Sequence, residues 1–206
     1  MIGSFVTGAL RPEGRTAAIT FDIASVVMGS LLIAGFAQVV IPLPFTPVPI
    51  TGATFAVLLV PALLGGARGA GSSGLYLAQG AVGLPFFAYG KSGLAYMLTS
   101  PTGGYLIGYV AAAVVVGWLA DRGWTRSYWK LAIALGAGTA AVYLLGVARM
   151  ALYVPDIGGS PWGMATALRK GLWPFIPGDL IKIAAIVALL PIGWRLAGPA
   201  KRDGPA

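Results

Sequence analysis

Six stretches of almost uninterrupted apolar residues, separated by short segments rich in Gly, Pro and charge, organise this chain. They run over roughly 22–41, 52–66, 69–85, 102–120, 130–154 and 178–196. A helix needs about 20 apolar residues to cross the hydrocarbon core of a bilayer. The pattern therefore predicts an all-α fold: a polytopic membrane protein of six transmembrane helices. The second and third stretches are the shortest and are rich in Gly. Residues 1–21 hold Arg11, Glu13 and Arg15 and precede the first long apolar run. No small-residue cleavage site follows a short apolar core, so they read as a cytoplasmic N-terminal tail and not as a signal peptide. Residues 22–196 form one membrane domain, and 197–206 a cytoplasmic C-terminal tail. The segment Trp162–Leu172 predicts a short surface helix.

The connections carry their own signals. In Pro42-Leu43-Pro44-Phe45-Thr46-Pro47-Val48-Pro49 four prolines fix φ repeatedly, so this segment is extended and stiff. It serves as a rigid turn or as a cover over a pocket. Phe86–Pro101, rich in Gly and Tyr, is longer than a plain connector needs. Small residues recur at helical spacing: Ser25/Gly29 and Ser30/Ala34 in span one, Gly104/Gly108 in span four. Such pairs let helices approach closely, either inside the monomer or against a partner subunit.

Composition agrees with the pattern. The chain is 57% hydrophobic and 10% charged, with a mean hydropathy of +0.83; soluble domains carry about 25% charged residues. The formal charge of +8 forms no basic patch with interleaved stacking aromatics, so no nucleic-acid partner is expected. The cations lie mainly between the apolar runs. With the N-terminus inside, the inner segments hold Arg11, Arg15, Arg68, Arg122, Arg126, Lys130, Arg195, Lys201 and Arg202, and the outer loops hold Lys91, Arg169 and Lys170. Cytoplasmic loops are enriched in Lys and Arg, which predicts both termini in the cytoplasm of a bacterial or archaeal cell. Trp118, Trp124, Trp129 and Trp194 fall near the inner boundary, Trp162 and Trp173 near the outer one, as an aromatic belt does.

Catalytic chemistry finds little material. The absence of Cys and His excludes thiol nucleophiles, His-based acid–base catalysis and the usual zinc ligand sets. Gly69-Ala70-Gly71-Ser72-Ser73-Gly74 matches a dinucleotide fingerprint by letter, but no strand precedes it and no acid follows at the required distance. Gly90-Lys91-Ser92 resembles the end of a phosphate loop whose first glycine would fall at Pro85. Of six acids only Asp179 is placed for a site. The chain is read as no enzyme, with no cofactor or metal of its own.

Asp179 and Lys182, in Pro177-Gly178-Asp179-Leu180-Ile181-Lys182, stand out because charge at membrane depth costs about 2.5–3.5 kcal/mol per group even on insertion scales. At i, i+3 they share a helix face and offer an acceptor and a donor to one small polar ligand. Equally, Asp179 can cap the last helix with Lys182 neutralising it. Arg149, about a turn from the outer end of span five, either snorkels outward or binds an anion. Lys91 is a further polar candidate. Tyr76, Gln79, Tyr89, Tyr96, Tyr105 and Tyr109 surround the outer mouth or line spans three and four, mostly as packing or interface residues.

Three stretches together resemble the BioY family, the biotin-binding S components of energy-coupling factor (ECF) transporters. They are Ile41–Thr51, then Gly83-Leu84-Pro85 leading to Pro101-Thr102-Gly103-Gly104-Tyr105, and Phe175–Lys182. Order, spacing and length also fit, from about Asp22 to Trp194. The resemblance implies an S-component-like bundle of six helices, a biotin pocket near the external face, and a cover made by the proline-rich loop. It implies capture of the vitamin by this chain, with ATP used only by partners: a transmembrane coupling (T) subunit and two ATPase (A) subunits. It further implies that Asp179 and Lys182 hold the ureido ring. A ureido group offers N–H donors to a carboxylate and a carbonyl to an ammonium. Phe45, Val48, Tyr96 and Tyr105 are the expected apolar wall, and Ser25, Gly29, Ser30 and Ala34 the expected docking surface for the coupling subunit. Two departures from the family pattern stand out. Gly52-Ala53 replaces the Leu-Gln of many relatives, and Arg149 stands where an aromatic of span five is expected. Lys91 or Arg149 is then the candidate partner of the biotin carboxylate. A stand-alone transporter of another small solute, or a membrane scaffold with a merely structural Asp179–Lys182 pair, are the alternatives.

Overall fold

A computed structural model describes residues 11–153 and 162–196. Residues 1–10, 154–161 and 197–206, and the side chains of Tyr153 and of residues 191–196 (Trp194 and Arg195 among them), lie outside the described part. Within it, eight helices build one bundle: α1 (Arg15–Ala37), α2 (Ala53–Leu64), α3 (Gly66–Ala81), α4 (Leu94–Thr99), α5 (Gly103–Asp121), α6 (Tyr128–Tyr153), α7 (Gly163–Gly171) and α8 (Ile176–Leu196). Six of these match the six apolar stretches, and α7 is the expected short helix after Trp162. The first helix begins at Arg15 and not near residue 22, because Arg15–Phe21 contains no helix breaker and simply extends the apolar run.

The core runs along α5, which lies against α6, α3 and α2 and has most of its residues buried. Leu106 and Ala112 on α5 share one buried cluster with Val57, Val60 and Val142 from its neighbours, and Val116 shares a second with Leu135. Helix length divides the bundle. Arg15–Ala37, Gly103–Asp121 and Tyr128–Leu152 are each long and apolar enough to cross a membrane, and α7 with α8 is so only as a pair, bent by 49° between them. Spans two and three are short: α2 has 12 residues and α3 has 16. They are joined without a loop by Gly65, whose φ of +85° is a conformation other residues adopt only at a cost.

Close helix approach uses the small residues noted in the sequence, but all within the chain. A Cβ on Gly104 would stand 2.5 Å from the Leu145 carbonyl oxygen, and one on Gly108 would stand 2.8 Å from Val142 Cα, so both glycines seat α5 on α6. On α1, Gly29, Ser30 and Ala34 are buried, and a Cβ on Gly29 would strike Ser72 of α3 and approach Val60 of α2 to 2.9 Å. Ser25 is half-buried. Of the expected docking stripe, Gly29, Ser30 and Ala34 are therefore covered within the chain, Gly29 by α2 and α3, and Ser25 is partly open. The outward face of α1 is Ile19, Ile23, Val27, Met28 and Leu31. Spacing of small residues says where a helix is approached, not by which helix.

Two polar features mark the ends of the bundle. At one end Asp22 accepts from Arg68 at 2.7 Å and from Arg11 at 2.9 Å, while Asp121 accepts from the Gly66 amide at 2.9 Å. At the other end sit the two long connections, with the start of α8.

Candidate functional site

The proline-rich segment is closed at its base by a two-stranded antiparallel hairpin, Val40 opposite Thr51 and Ile41 opposite Ile50. Its prolines keep the intervening chain extended, so it folds over the end of the bundle instead of collapsing into a tight turn. Val48 is buried beneath it, while Phe45 at the tip is 54% exposed. The second connection is fastened by Gln38 at the end of α1. Its amide donates to the carbonyls of Phe86 (3.1 Å) and Phe87 (3.3 Å), and its oxygen accepts from the Gly90 amide (3.1 Å). This drives the Phe87 ring inward, where it stacks on Tyr96 of α4 at 6.0 Å and meets Tyr76 of α3 edge-on at 5.8 Å.

Below these two connections lies a pocket, concave and mostly apolar with a few convergent polar groups, as small-molecule sites are. Val48, Pro49, Phe87, Tyr96, Tyr105 and Phe175 are among its apolar lining, and Thr51, Thr54, Tyr109, Tyr143, Asp179 and Lys182 supply polar atoms. The pocket is therefore an aromatic box with its charges gathered on one side.

Those charges come from the first turns of α8. Pro177 needs no amide partner at a helix start and its fixed φ suits that position, so the helix begins where the sequence says. Asp179 is 6% exposed. One of its oxygens accepts from Lys182 Nζ at 3.0 Å and the other from the hydroxyl of Tyr143 on α6. Lys182 also donates to Thr54 Oγ1 of α2 at 2.6 Å. No helix-capping bond from the Asp179 carboxylate to an α8 amide exists in the described structure, so capping does not account for the residue. A buried ion pair held by two further hydrogen bonds is costly to desolvate and is a weak stabiliser of a fold. Such groups collect at functional sites.

Of the residues singled out from the sequence, Asp179, Lys182, Val48, Tyr96 and Tyr105 line the pocket; Phe45, Lys91 and Arg149 do not. Phe45 sits on the outward side of the proline-rich loop. Lys91 is exposed, although its backbone is bridged to Phe87 on the pocket wall. The Arg149 guanidinium donates to the carbonyls of Leu98 and Ser100, which ties α4 and its Tyr96 to α6. From the same helix, Tyr143 and not Arg149 lines the pocket. At Gly52 the small residue is needed because a Cβ would stand 2.6 Å from the Phe36 carbonyl. Thr54, two residues on, supplies the polar contact on that wall. Sequence reading missed Tyr143, Thr54, Phe87 and Phe175. An isolated Tyr inside an apolar helix carries no signal that separates it from packing.

Comparison with known proteins places this geometry. The family model for the BioY family matches residues 11–198. The biotin transporter BioY of Thermotoga maritima is 41% identical over 152 residues, covering 72% of this chain and 83% of the relative. That of Rhodobacter capsulatus is 39% identical over 168 residues, covering 74% and 85%. A crystal structure of the S component for biotin from an ECF-type ABC transporter superposes with a TM-score of 0.76 at 25% identity, over 92% of this chain and 98% of that one.

Proposed function

The chain belongs to the BioY family, and from that premise we propose that it captures biotin in the pocket beneath its two connecting loops, as the substrate-specific subunit of an ECF transporter. The observation that carries this reading is the Asp179–Lys182 pair, buried on one wall of an otherwise aromatic pocket. The carboxylate accepts a ureido N–H and the ammonium donates to the ureido carbonyl, both charge-assisted bonds in a site that excludes water. The fused rings and the valeryl chain lie against Val48, Phe87, Tyr96, Tyr105 and Phe175. The biotin carboxylate is assigned to Lys91. It stands on the loop above the pocket, whereas the Arg149 guanidinium is committed to backbone carbonyls.

In this reading the chain performs no chemistry on its ligand and needs no cofactor. The T and A subunits supply the ATP-driven work. Purified protein in detergent is expected to bind labelled biotin saturably, in competition with unlabelled biotin. Concentrative uptake is expected only when the T and A subunits are present. No binding by folded protein would overturn the proposal and leave the scaffold alternative. Accumulation by this chain alone would leave the stand-alone transporter.

The same reading orients the molecule, with both termini and the 121–130 connection in the cytoplasm and the pocket outside. Single cysteines are simple to interpret in a chain without any of its own. At position 126 an impermeant maleimide is expected to react only after the cells are opened, and at position 45 in intact cells. Labelling of 126 from outside rejects the orientation.

A further inference from the structure

The ion pair is not left to orient itself. Both Asp179 oxygens are engaged by the protein itself, one by Lys182 and the other by the Tyr143 hydroxyl, and Lys182 is in turn engaged by Thr54. The three helices concerned, α6, α8 and α2, bring these residues together from 36 and 128 positions apart in the chain. A carboxylate has about four lone-pair positions and an ammonium three protons. Once Tyr143 and Thr54 are satisfied, each charged group still has bonding capacity directed into the pocket. Both residues line that pocket themselves.

We infer that Tyr143 and Thr54 are positioning residues of the ureido site: Tyr143 fixes the plane of the Asp179 carboxylate, and Thr54 fixes the direction of the Lys182 ammonium. The physical ground is preorganisation. A flexible Lys side chain and a freely rotating carboxylate must be immobilised when ligand binds, and that cost lowers affinity. Here the cost is met when the protein folds, and the ligand meets an acceptor and a donor already aimed. Supporting groups of this kind decide whether a site holds its geometry tightly enough to discriminate. The inference rests on the ureido reading of the pocket and adds to it the source of its selectivity.

The test compares wild type with Tyr143→Phe, Thr54→Val and Thr54→Ser, using four probes: biotin, an N-methylated ureido analogue, the thiocarbonyl analogue, and biotin methyl ester. Loss of one hydrogen bond to a charged group predicts a fall in biotin affinity of about ten- to a hundredfold for Tyr143→Phe and for Thr54→Val. Thr54→Ser, which keeps the hydroxyl, stays close to wild type. The decisive readout is selectivity. Tyr143→Phe should shrink the preference for biotin over the N-methylated analogue, and Thr54→Val the preference over the thiocarbonyl analogue. Neither should change the preference over the methyl ester, which differs only at the far end of the ligand. An equal fall for all probes, or biotin affinity within about twofold of wild type, overturns the inference. If Tyr143→Phe fails to elute and show helicity as wild type does, the two Thr54 variants carry the same test. Unchanged binding by Asp179→Asn would instead reject the ureido reading itself, so the two failures are distinguishable.

Discussion

Asp179→Asn and Lys182→Met are each expected to weaken biotin binding sharply while leaving the protein folded. Each substitution strands a charge that the structure buries: the Lys182 ammonium, 17% exposed, or the Asp179 carboxylate, 8% exposed. A hydrogen bond to a charged group contributes about 1.5–3 kcal/mol, so its loss lowers biotin affinity by about one to two decades. Asn keeps the shape of Asp and one acceptor oxygen, but not the charge that strengthens a bond to the ureido N–H. Tyr143 and Thr54 would still hold partners, so the bundle has no reason to open. Titration with labelled biotin, after size-exclusion elution and helicity have matched wild type, reads the effect. Arg169→Ala, on the exposed side of α7, serves as the control and should bind normally. Near wild-type affinity in a folded Asp179→Asn protein would make the pair structural and the site wrong.

Gly104→Leu is expected to prevent accumulation of folded protein. The new side chain would have to enter where the Leu145 carbonyl, Arg149 Cβ and Gly146 Cα stand at 2.5, 2.6 and 3.1 Å from even a first carbon. Two of those three are helix backbone and cannot rotate away. Overpacking a core by extra methylenes costs about 1–3 kcal/mol where side chains can shift; against backbone the figure is a lower bound. The damage also reaches the pocket, because Tyr105 and Tyr109 project from the same helix and their neighbour Tyr143 comes from α6. Thermal unfolding monitored by helicity should show a lower midpoint, with little protein recovered. Leu at Gly35, where no atom lies within 4 Å of a built Cβ, is the matched control and should be tolerated. A Gly104→Leu protein as stable as wild type would mean that α5 and α6 are not in contact as described.

Much of this was legible because hydropathy in a membrane protein is a long-range signal. Each apolar stretch had to be a helix, since an unsatisfied backbone is not tolerated in lipid, and the observed helices follow those stretches closely. Asp179 and Lys182 were legible for the converse reason, as charges where none is expected. Tyr96, Tyr105 and Val48 could be reached from their place beside the loops and in the family motifs. Tyr143 and Thr54 could not, because their meaning lies in contacts made across the bundle, and neither residue is unusual in an apolar helix. Arg149 misled for the opposite reason. A lone cation near a pocket reads as an anion partner until two backbone carbonyls are found to occupy it. Gly29 on α1 shows a further gap: a small residue reports proximity without naming the neighbour, here α2 and α3.

The hairpin at the base of the proline-rich segment decides where a ligand can sit. It holds the end of α1 level with the start of α2: Gly52 lies against the Phe36 carbonyl, and its amide donates to the Val39 carbonyl at 2.9 Å. With 12 residues, α2 rises only about 18 Å, and the shortfall against a hydrocarbon core of about 30 Å falls at its far end, where Gly65 turns the chain into α3. Thr54 therefore stands within one turn of the hairpin, and the Lys182 ammonium it engages shares that depth. A ligand held by the ion pair sits directly under the stiff segment, at the rim of the bundle and not at its middle.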